Sequence, residues 1–125
     1  MNSDKTAGLL AAHLFLARDL AHRAHLRTTG PGSFAAHEAL GEFYGGVIDL
    51  ADEFVEQYQG EYETLLDVPL LDNEYEGEIR DVLAQIKAWV QDNRHAATDD
   101  SSLQNTLDEV IKLFQRTNFK LQFLE

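Results

Sequence analysis

Cysteine is missing from this chain altogether. That one absence removes thiol catalysis, thiolate metal sites, iron–sulfur ligation and disulfide staples. Proline occurs only twice, at Pro31 and Pro69, so few positions forbid helix. Basic residues are scarce as well: 10 Lys and Arg stand against 22 Asp and Glu, a net charge of −12. Such a surface repels nucleic acid and anionic lipid, because affinity for both depends on neutralising phosphate with Lys and Arg. Neither a nucleic acid nor a membrane is therefore expected as a partner, whereas cations are attracted. No run approaches the roughly 18 apolar residues of a membrane span. Met1 to Lys5 lacks the basic-then-apolar pattern of a secretion signal. Without cysteine the chain suits a reducing compartment, and the cytoplasm is the expected location.

What is present is helical periodicity. At 125 residues the chain is one domain, 1–125, large enough for a single core without staples. Four segments repeat apolar residues in steps of three and four, and none alternates convincingly in steps of two. The first, about Thr6 to Arg27, aligns Leu9, His13, Leu16, Leu20 and Ala24. The second, about Phe34 to Gln59, aligns Leu40, Phe43, Val47, Leu50 and Phe54. The third, about Glu74 to Arg94, carries Tyr75, Ile79, Val82, Ile86 and Trp89. The fourth, about Leu103 to Phe123, carries Leu103, Leu107, Val110, Phe114, Thr117 and Leu121. Ser33 is placed to cap the second helix and Gly60 to end it. Asn73 with Glu76, and Ser101 with Gln104, read as capping boxes for the third and fourth. The fold class is all-α, a four-helix bundle.

Two joints are short and make antiparallel hairpins. The middle link, roughly Glu61 to Asp72, is longer. Twelve extended residues reach at most about 40 Å, comparable to the roughly 39 Å of a 26-residue helix. The link can therefore return along the bundle, the single long crossover of ferritin-like folds. Leu65, Leu66, Val68, Leu70 and Leu71 make it apolar, so it is expected to pack on the bundle or on a neighbour. Tyr58 and Tyr62, read as exposed aromatics, likewise argue for a homo-oligomer.

Four residues stand out as chemistry: His25 and His37, flanking a Gly30-Pro31-Gly32 break, and Asp52 and Glu56, four apart on one helix face. Imidazole plus carboxylate is a ligand set for iron, zinc or manganese. Asp49, Asp52, Glu53 and Glu56, with Glu42 a heptad earlier, make an acidic stripe whose mutual repulsion a cation would relieve. Glu42, Asp49 and Glu53 are expected to be a solvated outer face, and Asp52 and Glu56, nearest the core seam, to be the ligands. His13 lies in the apolar stripe and is expected to be a hydrogen-bonded core residue. His22 and His25 are spaced to face the same way, and His95 suits the end of its helix.

The run from His25 through Gly30-Pro31-Gly32 and Phe34 to His37-Glu38 resembles the junction of the first two helices in the Dps family of miniferritins. Asp52-Glu53-Phe54-Val55-Glu56 is similar to that family's second metal element, and Phe34 to Tyr44 resembles small Dps-like proteins of bacteriophages. The resemblance implies an iron site between two subunits, with His25 and His37 from one chain and Asp52 and Glu56 from its two-fold mate. It further implies iron oxidation, storage in an acidic cavity, two-fold dimers and a dodecameric shell. The family usually has an aspartate four residues after the second histidine, where this chain has Gly41. Glu38 or Glu42 is the candidate substitute there, although neither is in register, and with Asp49 and Glu53 they are the candidate auxiliary acids. Leu26 replaces the family's tryptophan, and the basic extension that binds DNA has no counterpart here. The second expectation is therefore a non-enzymatic Dps-like structural or accessory protein, located in a phage particle, that keeps the bundle and oligomer.

Overall fold

In the computed structural model, which describes residues 2–125, four helices account for the chain and no strand occurs among the described residues. They are α1 (Asp4–His25), α2 (Ser33–Tyr62), α3 (Ile79–Ala97) and α4 (Ser101–Phe123). Each helix packs on two others: α1 on α2 and α3, and α4 on α2 and α3. The pairs α1/α4 and α2/α3 are diagonals. The apolar stripes meet in one core, in which Phe43, Phe54, Tyr58 and Phe114 are the largest wholly buried side chains. Phe43 meets Phe114 edge to face, with centroids 4.9 Å apart.

Direction follows from the contacts at one end. Tyr58 Oη donates to Asp4 at 2.8 Å, so the end of α2 meets the start of α1. Tyr62 Oη lies 2.6 Å from Thr98 Oγ1, and Ser3 N donates to the Ala97 carbonyl at 3.1 Å, so α3 finishes there too. Helices α2 and α3 thus run the same way, and residues 64–78 return the full length of the bundle between them. The long crossover expected from the sequence is present.

Several local expectations are corrected. Tyr58 is not exposed: it is fully buried, as its four-residue step from Phe54 places it on the core stripe, and Tyr62 is half-buried. The cap of α2 is Gly32, in the left-handed region at φ 78°, and Ser33 is already helical. Helix α2 runs past Gly60 to Tyr62 and ends at Glu63, whose φ is 50°. Helix α3 starts at Ile79, not Glu74. Asn73 Oδ1 instead accepts from Tyr75 N at 3.0 Å in a local turn, and Gly77 at φ 116° keeps the chain out of helix until Glu78. Asp100, not Ser101, caps α4 by accepting from Leu103 N at 2.9 Å. Hydrogen bonds from the Ser102 hydroxyl and from Leu103 N hold the Asp100 carboxyl below the usual carboxylate range. Gln104 reaches back instead to the Arg94 and Thr98 carbonyls.

The link divides its aliphatics. Leu66, Val68 and Leu71 are half-buried against the bundle, while Leu65 and Leu70 point outward. It passes so close to α1 that a Cβ on Gly8 would lie 2.0 Å from the Asp67 carbonyl oxygen. His13 is a hydrogen-bonded core residue, as its place in the stripe indicated. Its Nδ1 donates to the Leu9 carbonyl at 2.8 Å and its ring stacks on Trp89 at 3.8 Å. Burial pushes its pKa below the ordinary imidazole value.

Candidate metal centre

The break at Gly30-Pro31-Gly32 folds α2 back along α1, and this hairpin brings His25 and His37 together. Gly30 and Gly32 both take positive φ, 86° and 78°, which a residue with a Cβ adopts only under strain. The two imidazoles lie face to face with centroids 3.6 Å apart and planes 20° apart. His25 Nδ1 is 2.7 Å from the His37 carbonyl oxygen, and His37 Nδ1 is 2.9 Å from the His25 carbonyl oxygen. A carbonyl only accepts, so each Nδ1 carries a proton and donates. In a neutral ring the lone pair then sits on Nε2, and neither Nε2 has a hydrogen-bond partner among the described residues. A ring held by an Nδ1–H to carbonyl bond with Nε2 presented is the arrangement that metal-ligating histidines adopt.

Three further residues surround the pair: His22, which the sequence spacing already set beside His25, and Arg18 and Tyr44, which it did not. Tyr44 stacks on His22 at 4.1 Å and meets His25 edge to face at 5.3 Å. Arg18 lies 6.0 Å above the Tyr44 ring, with its Nε buried and unpartnered and no ion pair among the described residues. Arg18, His22 and His25 follow one face of α1 at steps of four and three, a signal available in the sequence. Gly41 lies one turn beyond His37, beneath the His25 ring. A Cβ there would meet His25 Cε1 at 3.2 Å. Glycine at this position gives the ring its seat.

Asp52 and Glu56 lie on the same helix as His37, both exposed. Fifteen and nineteen residues of α-helix separate them from His37, about 22 and 28 Å along the axis. One chain therefore does not bring all four together, and no group of three or more metal-ligating side chains occurs among the described residues. Glu42 pairs with Lys120 at 2.7 Å, which holds its carboxyl below the usual range and commits it elsewhere. Glu38, Glu42, Asp49 and Glu53 are exposed, and Asp52 and Glu56 are exposed as well, so the two expected ligands are no nearer the core than the rest of the stripe. His37, Gly41, Gly45, Asp52 and Glu56 follow one another along one side of α2 at steps of four, four, seven and four. Gly45 is exposed, with open space where a Cβ would stand.

The fold is a four-helix bundle that carries a stacked pair of histidines where its first two helices join. The chain belongs to a family of unknown function, DUF5856, whose model matches residues 25–121 and so begins at the first histidine of the pair. No curated protein and no solved structure matches it. Among the described residues no helix is long and apolar enough to cross a membrane.

Proposed function

We propose that this chain binds a divalent transition metal, with iron as the principal candidate and zinc or manganese as substitutes, between two copies of itself. His25 and His37 supply nitrogen from one copy, and Asp52 and Glu56 supply oxygen from the other. The reciprocal Nδ1-to-carbonyl bonds carry this reading, because they fix both rings and leave each Nε2 without a hydrogen-bond partner among the described residues. A second copy is the natural source of the carboxylates. If α2 packs antiparallel on its own two-fold mate, His37 of one copy sits level with residues 52–56 of the other when the axis passes at Gly45–Gly46, midway between them. Gly45 there permits close approach of the two helices.

Under this reading the protein is a Dps-like, ferritin-like iron protein. Fe(II) is its substrate, oxygen or peroxide takes the electron, and the acidic face receives the product. The metal would supply the redox chemistry; the chain supplies ligand geometry, charge and the seat for the His25 ring. The resemblance in sequence supports a two-fold dimer, a dodecameric shell, and a place in the cytoplasm or a phage particle. One observation favours the non-enzymatic alternative: Gly41 makes room for His25 and leaves the half-site of each copy without a carboxylate. Anaerobic Fe²⁺ titration, followed by oxygen or peroxide, separates the two. Saturable binding lost in His37→Ala, then ferric absorbance faster than in buffer, is the expected result. Binding without oxidation selects the accessory role, and no binding ends the metal reading.

A further inference from the structure

Two surfaces of this molecule expose large apolar side chains and differ in charge. The first is the outer side of the crossover link. Between Glu61 and Glu78 the chain has seven acidic residues and no basic one. Within it, Leu70 is 100% exposed and Leu65 84%. The bundle takes up Leu66, Val68 and Leu71 but leaves these two in water. The second is the outer side of α4 near its end. From Lys112 to Leu124 there are three basic residues and no acidic one, nearly a third of the basic residues of the chain. Phe119 and Phe123 stand one turn apart there, ring centroids 5.6 Å apart, at 55% and 65% exposure. Lys120 is tied to Glu42 on α2 and Lys112 to Glu109 at 3.2 Å, while Arg116 is exposed on the same side as the two rings.

These surfaces do not meet within one chain. The link lies along α1, against Leu9, Ala12 and Phe15. Helix α4 touches only α2 and α3, on the far diagonal of the bundle. We infer that the link of one copy docks on the α4 end of the next, with Leu65 and Leu70 against Phe119 and Phe123 and the acids of the link beside Arg116. The occupant is a second copy because the complement in both charge and apolar character is on this chain itself. Since the two patches differ, the contact is head to tail, and it propagates into a ring or filament instead of stopping at a dimer. It is a different surface from the α2 face and does not depend on metal.

The test uses two variants of the whole chain, Leu65→Ser/Leu70→Ser and Phe119→Ser/Phe123→Ser, each altering only exposed side chains. Circular dichroism and thermal melting establish that both fold. In sedimentation velocity the wild type is expected to exceed a dimer, and each variant alone to lose that assembly. Mixed in equal amounts they associate with each other, because each retains the half that the other lacks. Arg116→Glu is expected to weaken the wild-type assembly, and so is raising salt from about 0.05 to 0.5 M, as screening shortens. His37→Ala leaves it unchanged, which separates this contact from the metal site. A wild type no larger than a dimer, variants that keep the wild-type size, or a mixture that fails to associate would each overturn the inference.

Discussion

Gly41 sits directly beneath the imidazole of His25: a Cβ added there would stand 3.2 Å from Cε1 and 3.5 Å from Nδ1. The glycine and the histidine fit each other, and a Cβ there would press on the ring that donates to the His37 carbonyl. Gly41→Ala should therefore separate stability from binding. Helix propensity alone favours alanine by about 1 kcal/mol, so the melting temperature is expected to hold or rise. Displacing the His25 ring is expected to weaken Co²⁺ or Fe²⁺ binding roughly ten-fold, the scale of disturbed support around metal ligands. Unchanged affinity in a stable Gly41→Ala protein would show that the glycine does not seat the ring.

Gly8 gives the opposite result for the same substitution. Its missing Cβ is what lets the Asp67 carbonyl approach α1, at a distance of 2.0 Å from where that carbon would be. The contact is with main chain, which cannot swing aside. Gly8→Ala is expected to cost about 1–3 kcal/mol in urea unfolding, as overpacking does, despite the gain in helix propensity. A stabilised protein would contradict the placement of the link.

Tyr58 predicts a loss of stability in alkali. Its hydroxyl is buried, donates to Asp4 and accepts from Asn2, each at 2.8 Å. Burial is the main cause that pushes its pKa from 10.0 up to about 12. Between these values the unfolded chain has released the proton and the folded chain has not. Stability from this group is thus complete below pH 10 and falls as pH rises, by at most about 1.4 kcal/mol per unit. In Tyr58→Phe this component of the alkaline decline should vanish, and the neutral-pH stability should drop by about 1 kcal/mol for the lost hydrogen bonds. Equal alkaline slopes in the two proteins would refute the buried hydroxyl.

His13 gives the acid limb. Desolvation lowers its pKa below 6.5, with the bond to the Leu9 carbonyl opposing the shift. The unfolded chain takes up the proton first as pH falls, so stability is intact above about pH 6.5 and declines below it. Trp89, the single tryptophan, stacks on this ring at 3.8 Å and reports its charge. Its fluorescence is expected to change with a midpoint below 6.5, and the change should disappear in His13→Phe. A midpoint at or above 6.5 would contradict the burial.

The bundle was legible because its stripes are strong: Leu40 to Phe54 on α2 and Leu103 to Leu121 on α4 leave no alternative period. The crossover followed from the length and greasiness of one link. What failed was local. Asn73 and Glu76 have the spacing of a capping box, yet Gly77 at positive φ turns the chain before a helix begins. Tyr58 was misjudged because a hydroxyl suggests water, whereas Asn2 and Asp4, more than fifty residues away, satisfy it inside. The histidine pair was visible as residue types flanking a turn. Its reciprocal main-chain bonds, the seat at Gly41 and the unpaired Arg18 depend on how α1 and α2 pack, which spacing alone does not contain.

The central claim is that two copies share each ion, and subunit complementation tests it most directly. One protein carries His37→Ala and the other Asp52→Asn/Glu56→Gln, and Fe²⁺ or Co²⁺ binding is measured by calorimetry for each alone and after mixing. Each alone should bind no metal, and the mixture should recover binding, since a mixed dimer contains one complete site. Metal held by the carboxylate variant alone as tightly as by wild type, or no recovery on mixing proteins shown to dimerise, would contradict the shared site.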